Sequence, residues 1–318
     1  MEELKEISIN QLPSKTWHWL KVNDTKIRWG EESVPCRINY EDNSEDPSGS
    51  DLQRMEICDG DGEWSSGIKE VQAADGTHLT LIQSFVKGDT ASSNLDFCTR
   101  LQIGKGSRVR LVQIIMREKD QTLRNNVECI CQEKGRLELL QMYIGTGDVY
   151  GEVRTQLSGD KSELHTEIGY LGQGEQKIDL NLVAGHYGKK TVSFIKADGT
   201  LKDAAKKIFR GTIDFKNGSS GSEGEETENV LLLGDAVENR TVPLILCAEE
   251  DVKGNHGASI GALDEETLFY FASRGINEVQ AEDMVTRAKL ETLAAHIRDE
   301  KTEAAVEQQL LEVIGNGE

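Results

Sequence analysis

The sequence predicts a mainly β body closed by a helical tail. Three observations carry that prediction. Ten or more short runs of alternating or β-branched residues recur between about residues 76 and 247, each with its apolar side chains on one face. Gly, Asn, Asp and Lys punctuate these runs, and no helical period separates most neighbours. After residue 262 the apolar residues return at helical spacing instead. So many short strands imply a sandwich, a barrel or a solenoid. Polar alternation and few aromatics suit stacked coils, but no fixed-length repeat is visible and the pattern leaves all three open.

Residues 1–75 read as an N-terminal segment. Leu12-Pro-Ser-Lys-Thr-Trp-His-Trp-Leu places Trp17 and Trp19 on one face if extended, a hydrophobic clamp that would dock the terminus on the core. Residues 41–75 are rich in Asp, Glu, Ser and Gly and predict a solvated acidic loop. The EF-hand order is absent from it.

Residues 76–262 form the β core, with runs such as His78-Leu-Thr-Leu-Ile, Arg108-Val-Arg-Leu-Val-Gln-Ile-Ile, Lys177-Ile-Asp-Leu-Asn-Leu-Val and Val242-Pro-Leu-Ile-Leu. Gly218-Ser-Ser-Gly-Ser-Glu-Gly-Glu-Glu predicts a flexible acidic turn between strands at 208–214 and 230–233.

Residues 263–318 predict helices. Asp264 is an N-cap with Glu265 and Glu266 in the first turn, and Arg274-Gly275 ends that helix. Asn277 with Gln280 is a capping box. Ala281, Met284, Val285 and Ala288 make an apolar stripe, and Val306, Leu310 and Val313 mark a third helix. This spare apolar surface must dock on the β body or on a partner.

Composition narrows the function. Of 318 residues, 56 are acidic and 36 basic, a net charge of −20, which disfavours nucleic acid and anionic membrane as partners. No apolar stretch is long enough to span a bilayer. The acidic start lacks the apolar core of a secretory signal, so the expected location is cytoplasmic, with the six cysteines reduced.

Few constellations carry chemistry. Neither Gly104-Lys105 nor Gly188-Lys189 belongs to a Walker A cradle. Gly145-Thr-Gly147-Asp-Val-Tyr-Gly151 is one residue too long for a dinucleotide fingerprint and reads as turn glycines. Cys129-Ile-Cys131 puts two soft thiols on one strand face but lacks a second pair, and core burial accounts for it. The most informative stretch is Asp251-Val-Lys-Gly-Asn-His256-Gly-Ala-Ser-Ile-Gly. Here His256 is expected in a Gly-rich turn between the last strand and the first helix, open to a ligand. On residue type alone, a histidine that merely caps this turn is the favoured reading.

The run from Lys207-Ile-Phe-Arg-Gly-Thr-Ile through Leu231-Leu-Leu-Gly-Asp-Ala, Val242-Pro-Leu, Glu250-Asp-Val, Asn255-His-Gly-Ala-Ser-Ile-Gly, Leu263-Asp-Glu-Glu, Leu268-Phe-Tyr and Ser273-Arg-Gly-Ile resembles the SufB/SufD family. These are the non-ATPase subunits of the SUF iron–sulfur cluster assembly machine. The likeness is strongest over residues 205–290, and Leu12 to Asn23 is similar to a further family segment.

The resemblance implies a right-handed parallel β-helix with a C-terminal helical domain. It implies docking of the SufC ATPase on the C-terminal helices, through Asp264, Leu268, Phe269, Tyr270, Arg274, Met284 and Val285. It also implies pairing with a SufB-like subunit, or with a second copy, through the C-terminal strands, where the nascent cluster forms. Two departures point to the SufD type. Val237 stands where a SufB-type scaffold carries its cluster cysteine, and Gly257 where that scaffold has Glu after the His. Of the family's interface ligands only His256 remains.

The expectation is therefore a non-enzymatic SufD-like scaffold subunit. No cofactor is expected to be tightly bound in the isolated chain, and iron or a cluster is held transiently in the complex. One alternative is a homodimeric scaffold working with SufC alone, for which Cys247 is the nearest thiolate candidate and Cys129 or Cys131 the next. A β-helix carbohydrate-active enzyme is the alternative of another class, but the chain lacks the aromatic platforms such enzymes need, with 5 % aromatics.

Overall fold

The computed structural model describes residues 4–16, 18–41, 51–87 and 93–314. The chain opens with β1 (Leu4–Ile9), β2 (Thr25–Gly30), β3 (Val34–Pro35), β4 (Arg37–Tyr40), β5 (Asp51–Cys58) and β6 (Trp64–Ala73). It continues through β7 (His78–Phe85), β8 (Ser93–Ile103), β9 (Arg108–Ile115), β10 (Gln121–Cys131), β11 (Arg136–Tyr143), β12 (Val149–Leu157) and β13 (Glu163–Gly172). The strands end with β14 (Lys177–His186), β15 (Val192–Lys202), β16 (Lys206–Phe215), β17 (Ser222–Leu233), β18 (Glu238–Cys247) and β19 (Val252–Gly261). Three helices follow: α1 (Glu265–Ala272), α2 (Glu278–Ala294) and α3 (Glu300–Ile314).

Even-numbered strands from β6 to β18 line one sheet and odd-numbered strands from β5 to β19 the other, with every neighbour parallel in that range. A parallel pair needs a crossover, and here the strand of the opposite sheet supplies it. The body is therefore a parallel β-solenoid of about 7 turns, the stacked coil among the three architectures the pattern left open. Along each strand alternate residues point inward, and one continuous apolar core runs from Met55 to Val230.

The repeat escapes the eye because its length drifts. Register partners lie 26 residues apart from Leu123 to Val149, 29 from Val149 to Ile178 and 32 from Lys206 to Glu238. What recurs is a left-handed turn residue at Gly76, Gly106, Lys134, Lys161, Lys190 and Gly221. Each donates its amide to a carbonyl in the next turn, as Gly106 does to Glu133 and Lys134 to Asp160. Positive φ favours glycine, but lysine fills three of these six places, so the signature is conformational rather than literal.

Several sequence expectations need correction. The acidic stretch 41–75 is not one loop: β5 and β6 are solenoid strands, and residues 42–50 lie outside the described residues. The predicted acidic turn at 218–226 ends at Gly221, because Ser222, Gly224 and Glu226 continue the inward row of β17. Trp17, half of the expected tryptophan clamp, lies outside the described residues, and Trp19 is largely exposed.

The β1–β2 hairpin is held by polar contacts. Asn10 donates to the Asp179 carboxylate at 2.6 Å, and Arg210 donates to the same carboxylate and to the Val22 carbonyl. Ile9, Leu12, Val22 and Trp29 supply the apolar part of that seat.

The helices divide in their attachment. The capping box of Asn277 and Gln280 starts α2 as expected. Leu290, Leu293 and Ala294 of α2, with Val306 and Leu310 of α3, form a second core against Val112, Ile114, Leu140 and Met142 on the outer face of the odd-numbered sheet. A Cβ at Gly169 would collide with Leu293, so glycine lets α2 lie close. The buried row of α2 differs from the expected stripe. Ala281 is buried, Val285 is half-buried, and Met284 and Ala288 face solvent. Helix α1 buries no residue at all.

Candidate functional site

The solenoid ends without a lid. Among the described residues β18 and β19 each pair with one neighbour only, and their free edges and inner faces are open. An uncovered strand edge offers a row of unpaired backbone groups to another chain.

His256 lies within β19, not in a turn as the glycines around it suggested. A continuous parallel register with β17 sets the residue beside Glu226. The inner face of β19 is fixed by Gly254, whose Cβ position meets Ile245 and Phe215. Two residues on, His256 shares that face and tops the column containing Glu226, exposed because no further turn covers it.

Beneath it the interior carries two carboxylates and one ammonium. Glu226 and Glu228 are buried on the inner row of β17, opposite Lys207 on β16. Lys207 Nζ pairs with Glu228, which also accepts from Thr241 Oγ1 at 2.6 Å and from the Tyr170 hydroxyl. Glu226 accepts no hydrogen bond from any described side chain. Burial pushes its carboxyl up to about 7, Glu228 adds repulsion, and Lys207 opposes both. Its head group occupies the space left by Gly211, where a Cβ would strike the carboxylate. Farther back along the coil some interior polar groups pair, as in the ladder where Gln141 donates to Gln113 and Gln113 to Gln83, each at 2.7 Å.

The cysteines divide sharply. Cys247 is exposed at the end of β18, on the same inner row as Ile245. The Ile245–Gly254 contact puts Cys247 about four residues along the strands from His256, roughly 13 Å, so the two do not meet. Cys129 and Cys131 are sealed in the core with their sulfurs 3.6 Å apart, and burial raises the Cys129 thiol. That removes both as accessible thiolates. Val237 packs against the core. Among the described residues no three His, Cys, Asp or Glu side chains stand close enough to hold a metal ion unaided.

A second exposed feature sits on α1. Phe269 is 75 % and Tyr270 52 % exposed, with Arg274 stacked 4.4 Å from the Tyr270 ring. Leu268 is half-buried, and Asp264 caps the helix by accepting from the Thr267 amide at 2.7 Å. Met284 and Val279 extend this apolar surface onto α2. Sequence reasoning missed Val279, Glu226, Lys207 and Gly211. The signal available was two glutamates at alternate positions on a strand whose inner row should be apolar.

No helix among the described residues is long and apolar enough to cross a membrane. The model of the SUF system FeS cluster assembly SufBD core domain matches residues 59–289, which include the open end and α1. The chain is similar to the iron–sulfur cluster assembly protein SufD of Bacillus subtilis, 32 % identical over 184 residues, covering 57 % of this chain and 41 % of the relative. It is likewise similar to SufD of Escherichia coli, 31 % identical over 161 residues, covering 51 % of this chain and 37 % of the relative. Each match thus spans less than half of the relative's own length. With a matched core model across most of its length, a solenoid and three helices in the expected order, the chain belongs to the SufBD core family of the SUF iron–sulfur cluster assembly system.

Proposed function

We propose that this protein is a SufD-like scaffold subunit that contributes His256 to a cluster-forming seam and carries no catalysis of its own. The observation that carries the reading is the uncapped end of the solenoid, where an exposed imidazole stands on the inner face of β19, a strand with one free edge. A second β-solenoid, from a SufB-like subunit or another copy, would continue both sheets there. Its thiolates would supply the soft ligands absent around His256, since neutral imidazole is a borderline ligand. The exposed face of α1 and α2 is the docking surface for a SufC-like ATPase. Because α2 is anchored through the second core, movement of the ATPase would be transmitted to the sheet below. Iron and sulfide are cargo in this reading, held transiently in the assembled complex.

The test is co-expression with SufB-like and SufC-like subunits, comparing wild type with His256→Ala. The variant should assemble normally and lose most of its iron and acid-labile sulfide. An unchanged cluster yield would remove the ligand role. A complex that assembles and fills without any third subunit favours the homodimer, with Cys247 as the thiolate to replace next.

A further inference from the structure

We propose that Glu226 is a metal ligand: with His256 it forms this chain's half of a ferrous-ion site at the open end, completed from the facing subunit. The inference deepens the proposed function and rests on the open end being the assembly seam.

The argument starts from an imbalance. Two carboxylates and one ammonium occupy the interior just below the last turn, and the ammonium is committed to Glu228. Glu228 is further satisfied by Thr241 and Tyr170, whereas Glu226, 3 % exposed, accepts from no described side chain. A buried carboxylate without a donor is among the costliest groups a core can hold. Such a group calls for an explanation, and a bound ion is one. Hydrophobic residues of similar size would fill the row more cheaply, as Leu180 and Ile195 do elsewhere in the same core.

Position identifies what binds. Glu226 and His256 are register partners on adjacent parallel strands, with Cα atoms about 4.8 Å apart and side chains on one face. Opposite them stand Gly211 and, one turn on, Pro243, neither of which can donate a side-chain hydrogen bond. The space by Gly211 is therefore lined by one anion, and His256 stands one turn on in the same column. Carboxylate with imidazole suits Fe(II), and two ligands leave positions for water and for groups across the seam. Such a site would hold iron at the mouth of the solenoid before sulfide arrives.

The test uses the metal-free full-length chain under anaerobic conditions, titrated with Co²⁺ as a spectroscopic probe and then with Fe²⁺. Wild type should bind one ion, with its unfolding midpoint raised by the metal. Glu226→Gln should weaken binding about tenfold or more, abolish the metal-induced rise, and leave the metal-free midpoint no lower than wild type because a buried charge has gone. Glu226→Gln binding as tightly as wild type overturns the inference, as does a wild-type chain that takes up neither ion. If His256→Ala loses the cluster in the full complex while Glu226→Gln keeps wild-type metal affinity, the role of Glu226 falls and the seam stands. If both variants behave as wild type, the seam reading falls too.

Discussion

Replacing Lys207 with Met removes the positive charge that pairs with Glu228 and offsets Glu226, and so measures how that interior depends on it. The Lys207–Glu228 pair is 0 % and 1 % exposed, so neither partner can turn to water. Breaking a buried pair by deleting one partner costs about 3–5 kcal/mol. The loss should depend on pH with a definite sign. The folded pKa of Glu226, about 7, lies above its ordinary 4.5. Its favourable contribution is therefore fully present below 4.5 and is lost as pH rises through 7. Lys207→Met withdraws the cation that opposes this shift, so its cost should be greatest near pH 8 and shrink toward pH 5, within roughly the range given above. Urea unfolding at both pH values reads it, provided the slope with urea is unchanged. Adding Glu228→Leu should recover most of the loss, since an apolar pair of similar volume replaces an ionic one at little cost. A loss below about 1 kcal/mol, or one equal at the two pH values, refutes the account of a charge-imbalanced interior.

Three further outcomes are expected. His186 is buried with both ring nitrogens engaged, by Thr191 at 2.7 Å and Ser193 at 2.9 Å, and burial lowers its pKa from 6.5 to about 4. Its contribution is present above 6.5 and is lost as pH falls toward 4, so His186→Gln should flatten the acid limb of stability by up to about 3 kcal/mol. Gly211→Ala pushes a Cβ into the Glu226 carboxylate and should cost about 1–3 kcal/mol by chemical denaturation, a cost that disappears in a Glu226→Ala background. Phe269→Ser should leave stability within about 0.5 kcal/mol, because Phe269 is largely exposed, while co-purification of the proposed SufC-like ATPase is lost; Leu290→Ala in the second core should instead cost about 2–5 kcal/mol.

Much of this architecture is written locally. Strand runs such as Arg108–Ile115 and Lys177–His186 declare themselves by alternation, and α2 announces its start through Asn277 and Gln280. These signals lie within a few residues of one another, so backbone preference and one-sided burial suffice to read them. The open imidazole was likewise legible as open, although its element was misread. Glycines on both sides of His256 mimic a turn, but in β19 they sit on an end turn that nothing covers, where a strand needs no side chains to pack.

By composition and short-range pattern alone, the chain is committed to stacked strands followed by capped helices, and to an acidic surface unsuited to nucleic acid. Tertiary structure alone decides which residues become neighbours at separations near 30. It sets Glu226 beside His256, turns Lys207 toward Glu228, and places Cys247 at the far end of β18 from the level of His256. The physical reason is the solenoid's geometry. Each side chain's environment is fixed by the turn above and the turn below, and turn lengths that drift from 26 to 32 residues hide that pairing until the chain is coiled.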